Sequence, residues 1–229
     1  MQAKHRNSAW IGAALIAIFC LAAQQGEAAG DKALRLFNGK DLTGWRYYLA
    51  GHNVGMSDVW SVKDGVLICK GKPMGYLYTA KSFKNFRLAV EWRWPPGKKP
   101  GNSGILLRVN GQPQPLPRCI ECQLQSGRAG DIYGFFGMKI GGPADRLRKI
   151  SSPQLGGGFL ALPRLASTEK PPGQWNRADI LVQGGRVVVF INGSKTNEAE
   201  GCEEIAGPVA LQSEGAEIHF RLVEIAPLP

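Results

Sequence analysis

The chain of 229 residues carries 28 Lys and Arg against 18 Asp and Glu, a formal net charge of +10, with 44% hydrophobic and 20% charged residues. That mix is too apolar for disorder, and 30 glycines with 15 prolines suit a turn-rich fold better than a helical bundle. No internal repeat points to a solenoid or propeller. The basic residues are scattered, with no dense run and no nucleic-acid motif, so nucleic acid is not expected as a partner.

In chain order, Lys4 and Arg6 precede the apolar run Ile11 to Ala23, and the small residues Gly26, Ala28 and Ala29 follow. This is the organisation of a cleaved export signal over residues 1–28. Cys20 is preceded by the bulky Phe19, which does not suit lipidation. The expected mature protein is a single domain over 29–229, periplasmic or extracellular. It has no membrane span, because no later stretch is long and apolar enough. Removal of Lys4, Arg6 and Glu27 lowers the charge by one. The remainder suits solubility or contact with anionic envelope surfaces.

Short apolar or alternating runs then recur between Gly, Asn, Asp and Pro. They predict strands near 33–37, 45–48, 58–62, 66–69, 76–79, 86–94, 104–109, 119–125, 132–136, 177–183, 186–191, 207–212 and 217–225. Asn38-Gly39, Asp64-Gly65, Gly184-Gly185 and Asn192-Gly193 supply turns that need positive φ. So many strands and so little helical periodicity predict an all-β sandwich or jelly roll of two antiparallel sheets. The stretch from Gly141 to Gly173 has little strand signal. It reads as a lid, a binding loop or a surface excursion.

Period-two alternation sorts side chains into faces. In Arg87 to Trp94, Leu88, Val90, Trp92 and Trp94 belong in the core, and Arg87, Ala89, Glu91 and Arg93 oppose them. Ile105, Leu107 and Val109 share a face opposite Arg108. Ile120, Cys122 and Leu124 oppose Cys119, Glu121, Gln123 and Gln125. Glu91, Arg93, Arg108, Glu121 and Gln123 are thereby expected to converge on one face. The alternative is a solvated face of cross-strand ion pairs. The same parity sends Cys119 and Cys122 to opposite faces, about 10 Å apart along the strand. That is beyond disulfide reach, so spectator thiols are expected, while pairing with Cys69 or Cys202 stays open. His52, in a predicted loop, is an alternative base. His219, between Ile218 and Phe220, belongs on a polar strand face. Two histidines after the signal give no zinc spacing, whereas a divalent hard cation on Asp, Glu and water is compatible with the chain.

An ordered set of motifs resembles the 3-keto-disaccharide hydrolase domain family. Leu36-Phe37-Asn38-Gly39-Lys40-Asp41-Leu42-Thr43-Gly44-Trp45 opens it, and Val59-Trp60-Ser61-Val62-Lys63-Asp64-Gly65-Val66-Leu67 continues it. Phe86 to Arg93, Gly101-Asn102-Ser103-Gly104-Ile105, Glu121-Cys122-Gln123-Leu124, Gly130-Asp131-Ile132-Tyr133 and Gln174-Trp175-Asn176 follow in order. The resemblance covers nearly all of the mature chain and is weakest over Gly141 to Gly173.

It implies a concanavalin A-like sandwich with a concave sugar-facing sheet. It also implies action on 3-keto-glycosides, as a 3-keto-glucoside 1,2-lyase or a hydratase of the 3-keto-2-hydroxy-glucal. A ketone at C3 acidifies the C2 proton. A base removes that proton, the C1–O bond leaves, and water adds to complete net hydrolysis. Within this expectation Glu91, Glu121 or His52 is the base, and Asp131 or Tyr133 protonates the leaving group. Arg93, Arg108, Asn102, Ser103 and Gln123 bind substrate. A non-catalytic lectin-like module is the alternative. A conventional glycosidase is a third reading, but its strand motif Glu-x-Asp-x-x-Glu is absent.

Overall fold

A computed structural model describes residues 33–153 and 157–229. The predicted signal at 1–28 lies outside the described residues. The elements in order are β1 (Leu34–Arg35), β2 (Trp45–Leu49), α1 (Met56–Val59), β3 (Trp60–Lys63), β4 (Val66–Cys69), β5 (Gly75–Thr79), β6 (Phe86–Arg93), β7 (Gly104–Asn110) and β8 (Arg118–Gln123). They continue with β9 (Ile132–Gly134), β10 (Arg148–Ser152), β11 (Gly157–Leu162), β12 (Asn176–Gln183), β13 (Arg186–Ile191), β14 (Ser194–Ala199), β15 (Ala210–Ser213) and β16 (Ile218–Pro227).

The strands form two antiparallel sheets of eight. The first runs β14-β13-β12-β6-β16-β4-β3, with β1 also paired to β16. The second runs β10-β11-β9-β8-β7-β15-β5-β2. Leu88, Val90, Trp92 and Phe220 of the first sheet interlock with Leu77, Ile105, Leu107, Ile120 and Cys122 of the second in one core. Two packed antiparallel sheets make the all-β, concanavalin A-like jelly-roll sandwich expected from the sequence.

The turn chemistry behaves as the residues dictate. Asp64 and Gly65 (φ 51° and 74°) join Lys63 to its partner Val66. Asn192 and Gly193 (φ 51° and 81°) join Ile191 to Ser194. Two consecutive positive φ values give the hairpin twist that matches the strands.

Gly141 to Gly173 is neither a lid nor a plain excursion over its middle. It contains the β10–β11 hairpin, which extends the second sheet at its edge. Its signal is weak for two reasons. β10 is an exposed edge strand beginning Arg148-Lys149, the charged edge that discourages further pairing. β11 opens on Gly157-Gly158, which carry no pattern. β14, Ser194 to Ala199, is likewise polar in sequence and absent from the predicted set.

Among the described residues the four cysteines, Cys69, Cys119, Cys122 and Cys202, are buried and free. Cys122 lies in the inter-sheet core and Cys119 on the opposite face of its strand, as parity requires. Burial pushes the Cys69 thiol up to about 12 and Cys202 up to about 11, which leaves both unreactive at neutral pH.

Candidate functional site

The expected single patch does not form. Glu91 and Arg93 lie on β6 in the first sheet, whereas Glu121 and Gln123 lie on β8 in the second. Each pair faces away from the shared core, so the two carboxylates occupy opposite outer faces of the sandwich. On these two strands parity gives the face correctly but says nothing about which sheet the strand joins.

On the first sheet's outer face, Glu91 is neutralised by Arg177 (3.4 Å) and by Arg221. Arg93 and Arg221 each place a guanidinium 4.6 Å from the Trp175 ring, and the Arg93 Nε donates to His219 Nδ1 (3.4 Å). His219 also meets Glu217 at 3.0 Å. These contacts make the solvated ion-pair face that was the alternative reading.

Arg108 is a second correction. It adopts φ 52° at a register shift between Leu107 and Asn110. The bulge reverses the alternation, so Val109 joins the outer-face cluster instead of the core. The Arg108 guanidinium turns inward and donates to the carbonyls of Lys84 (3.0 Å), Gly184 (2.8 Å) and Glu203. Burial lowers its pKa, and three carbonyls hold it in place. It ties loops together and does not point to the Glu121 face.

The second sheet's outer face is different. Tyr76, Leu106, Cys119, Tyr133, Phe135 and Ala210 are buried there in a second apolar cluster, with Tyr48, Tyr78 and Phe159 packed against them. Tyr48 stacks on Tyr76 at 5.8 Å. Glu121 stands in the middle of this floor, opposite Leu106 of β7 and Tyr133 of β9. Gly104 makes the space: a Cβ there would lie 2.0 Å from Glu121 Oε1. Glu121 is 2% exposed, and its Oε1 has no hydrogen-bond partner. Burial pushes its carboxyl well above the usual carboxylate range, and the charges of Glu214 and Asp131 push it the same way.

Two further buried side-chain oxygens have no hydrogen-bond partner, Asn102 Oδ1 just before β7 and Gln212 Oε1 on β15. Burial raises the pKa of the Glu214 carboxyl, and the neighbouring Asn102 and Gln212 side chains work against that rise. Asn102 and Glu214 line an open pocket of about 600 Å³ with Lys99, Gln125 and Ser126. Glu121 is not among the residues that line that pocket. Buried polar atoms are rarely left unpaired in a folded protein. The acceptor oxygens of Asn102, Glu121 and Gln212 are thus left unpaired within the protein, as are the Nε1 groups of Trp60, Trp92 and Trp94 and the Nε of Arg108.

The other expected site residues have defined places. The Gln123 side-chain oxygen accepts from the backbone N–H groups of Leu124 and Gln125 (both 2.8 Å), which fixes the strand end. Ser103 is buried, and its hydroxyl donates to the Gln212 carbonyl (2.8 Å), which holds β15 in position. Asp131, 1% exposed, accepts from Arg128 Nε (3.0 Å), the Arg164 N–H (2.9 Å) and the Tyr133 hydroxyl (3.1 Å). Burial raises the Tyr133 phenol, which keeps it a neutral donor. His52 is exposed in the loop after β2. Gln212 and Glu214 were missed in the sequence, although parity in Ala210-Leu211-Gln212 sets both opposite the core residue Leu211. Among the described residues no three His, Cys, Asp or Glu side chains group closely enough to hold a metal ion.

Comparisons with known proteins agree with this architecture. The chain is 28% identical over 174 residues to a 3-keto-disaccharide hydrolase of Bacteroides thetaiotaomicron, a match covering 69% of this chain. The chain spans 55% of that relative's length. Among solved structures, a Parabacteroides distasonis protein described as a glycosyl hydrolase superposes with a TM-score of 0.60 at 22% identity, covering 86% of this chain and 94% of that one. A Bacillus licheniformis beta-glucanase superposes with a TM-score of 0.54 at 12% identity, covering 89% and 100%. These two similarities establish the shared sandwich fold. The sequence profile of the 3-keto-alpha-glucoside-1,2-lyase-like domain matches residues 32–226, nearly the whole chain, and the protein belongs to that family.

Proposed function

We propose that the protein is an exported enzyme that cleaves 3-keto-glycosides at the outer face of the second sheet, by elimination and hydration with net hydrolysis. The observation that carries this reading is the group of unpartnered oxygens on Asn102, Glu121 and Gln212 beside the Glu214 pocket. Sugar hydroxyls are donors that such acceptors take, and aromatic side chains around them offer apolar surface to a pyranose ring. In this reading Glu214, at the pocket, removes the C2 proton; its raised pKa makes it a stronger base than an ordinary carboxylate. Glu121, whose carboxyl burial pushes well above the usual carboxylate range, is the group to donate a proton to the departing oxygen or a hydrogen bond to the enolate at O3. The C1–O bond breaks, and water then adds across C1 and C2. Oxygen donors of this kind also suit a divalent cation, which the test addresses directly.

The test incubates purified protein with a 3-keto-glucoside and with the unoxidised parent, with and without chelator, followed by NMR. Cleavage of the keto sugar alone, with exchange or slowing at a deuterated C2, is the expected result. Cleavage of the parent at a comparable rate points instead to a conventional glycosidase. Binding of either sugar without turnover points to a lectin-like module, the reading favoured by the stacked Tyr48 and Tyr76. Export is part of the proposal: the N-terminus of the secreted protein should map near Ala29 by mass spectrometry.

A further inference from the structure

At the β10 end of the same sheet lies a second pocket of about 400 Å³, lined by Arg128, Arg148, Arg164, Asp131, Leu165 and Ser167 among others. Three guanidiniums meet there with one carboxylate. Asp131 is buried and bonded to Arg128 and Arg164, so its charge is spent within the wall. The Arg148 side chain makes no hydrogen bond or ion pair among the described residues, and the residue is exposed. The pocket therefore carries excess positive charge beside Leu165, a 62% exposed apolar side chain.

The register connects this pocket to the candidate site. Arg148 pairs with Ala161, Ala161 with Tyr133, and Tyr133 with Glu121. Residues paired across strands share a face, so Arg148 and Glu121 stand in one row. Three strand spacings separate them, about 14 Å at ~4.8 Å each, and the Arg side chain shortens that span. One or two sugar rings bridge such a distance.

We propose that Arg128, Arg148 and Arg164 form an anion subsite that receives the carboxylate or sulfate of an acidic sugar whose neighbouring ring lies toward Glu121. The inference rests on the carbohydrate reading above and deepens it by naming an acidic glycoside as the substrate class. Guanidiniums suit this task because their forked donors match an oxyanion, and the excess charge is not cancelled within the pocket.

The test is an NMR titration of the purified chain with methyl glucuronide, methyl glucoside and inorganic sulfate. These two sugars differ at C6, where one has a carboxylate and the other a hydroxymethyl group. The glucuronide should bind roughly tenfold or more tightly than the glucoside, the size of one charge-assisted hydrogen bond. Sulfate should compete with it. Arg148→Ala should abolish the preference and leave glucoside binding unchanged, because the exposed Arg148 side chain has no ion-pair partner among the described residues and its backbone pairing with Ala161 is kept. Arg46→Ala, at the far edge of the sheet on β2, should keep the preference. Equal binding of both sugars, or a preference that survives Arg148→Ala, overturns the subsite. Sulfate binding without sugar preference overturns it as well, leaving only a site for small anions. Turnover of a neutral 3-keto-glucoside is scored separately. Acid preference without turnover supports the subsite while sinking the enzyme reading; turnover without acid preference does the reverse.

Discussion

Glu91 and Glu121 occupy equivalent positions on the outer faces of the two sheets, each in mid-strand among alternating apolar residues. Their surroundings are opposite. Glu91 has a side chain 19% exposed and two arginine partners. Glu121 is buried in an aromatic floor with an unpartnered oxygen and a raised pKa. A carboxylate held by two guanidiniums has its charge satisfied within the protein. One that is buried and unpaired carries a free-energy cost that a stability argument alone does not explain, and such groups concentrate where chemistry is done. The contrast between the faces therefore supports the second sheet for the proposed site more strongly than the presence of either carboxylate does.

The largest expected effect concerns the residue that belongs to neither face. Arg108→Met should leave the carbonyls of Lys84, Gly184 and Glu203 without their donor inside the protein. An unsatisfied buried carbonyl costs about 1–3 kcal/mol, so a loss of ~3 kcal/mol or more is expected in urea unfolding. A variant as stable as the wild type would return Arg108 to the list of substrate-binding candidates.

Next is the direct contest between the faces. Glu121→Gln should lower turnover of a 3-keto-glucoside at least ~100-fold, the lower end of what a proton-transfer group contributes. The change is nearly isosteric, so circular dichroism should be unaltered. Gly104→Ala tests the same position sterically. Its new Cβ would displace the Glu121 carboxyl, and overpacking of this kind costs typically 1–3 kcal/mol. Activity should fall in parallel. Full activity in both variants would move the search to His52 and Asp131.

The raised pKa of Glu121 also gives a signed pH dependence. Its folded-state value lies above the unfolded one. The stability it contributes is fully present below the unfolded carboxylate pKa and is lost as pH rises toward the folded value. Glu121→Gln removes that loss. The variant should gain melting temperature relative to wild type as pH rises above about 4.5, and the gap should widen toward the folded value. A constant gap across that range would show that Glu121 is not the buried acid described here.

Much of this was legible in the chain. Parity placed Glu121 and Gln123 opposite Ile120 and Cys122, and Glu91 and Arg93 opposite Trp92, because a strand's side chains must alternate. The hairpin at Gly184-Gly185 and the turns at Asp64-Gly65 and Asn192-Gly193 followed from the need for positive φ. Sheet membership was not legible, because it depends on which strands pair across long stretches of chain: β6 lies between β12 and β16, far away in sequence. Arg108 escaped because one positive φ at a non-glycine residue reverses the alternation after it. The β10–β11 hairpin escaped because its residues are charged or glycine, chosen for a sheet edge rather than for a core. Glu214 could have been found by extending the parity of Ala210 and Gln212 by one more step.

The smallest expected effect completes the contrast. Glu91→Gln removes the charge that holds Arg177 and Arg221, whose side chains are 42% and 46% exposed. Partly exposed ion pairs of this kind contribute at most about 1 kcal/mol each. The variant should thus lose little stability, and the small loss should shrink further in 1 M salt, where screening acts within about 3 Å. Stacking of Arg93 and Arg221 on Trp175 keeps the local geometry without the carboxylate. Turnover should stay within about twofold of wild type, far from the ~100-fold loss expected at Glu121. The same isosteric change at two equivalent strand positions then reads out the difference in burial and pairing alone. A large loss of turnover in Glu91→Gln, with Glu121→Gln active, would reverse the assignment and place the chemistry on the first sheet, beside Trp175 and His219.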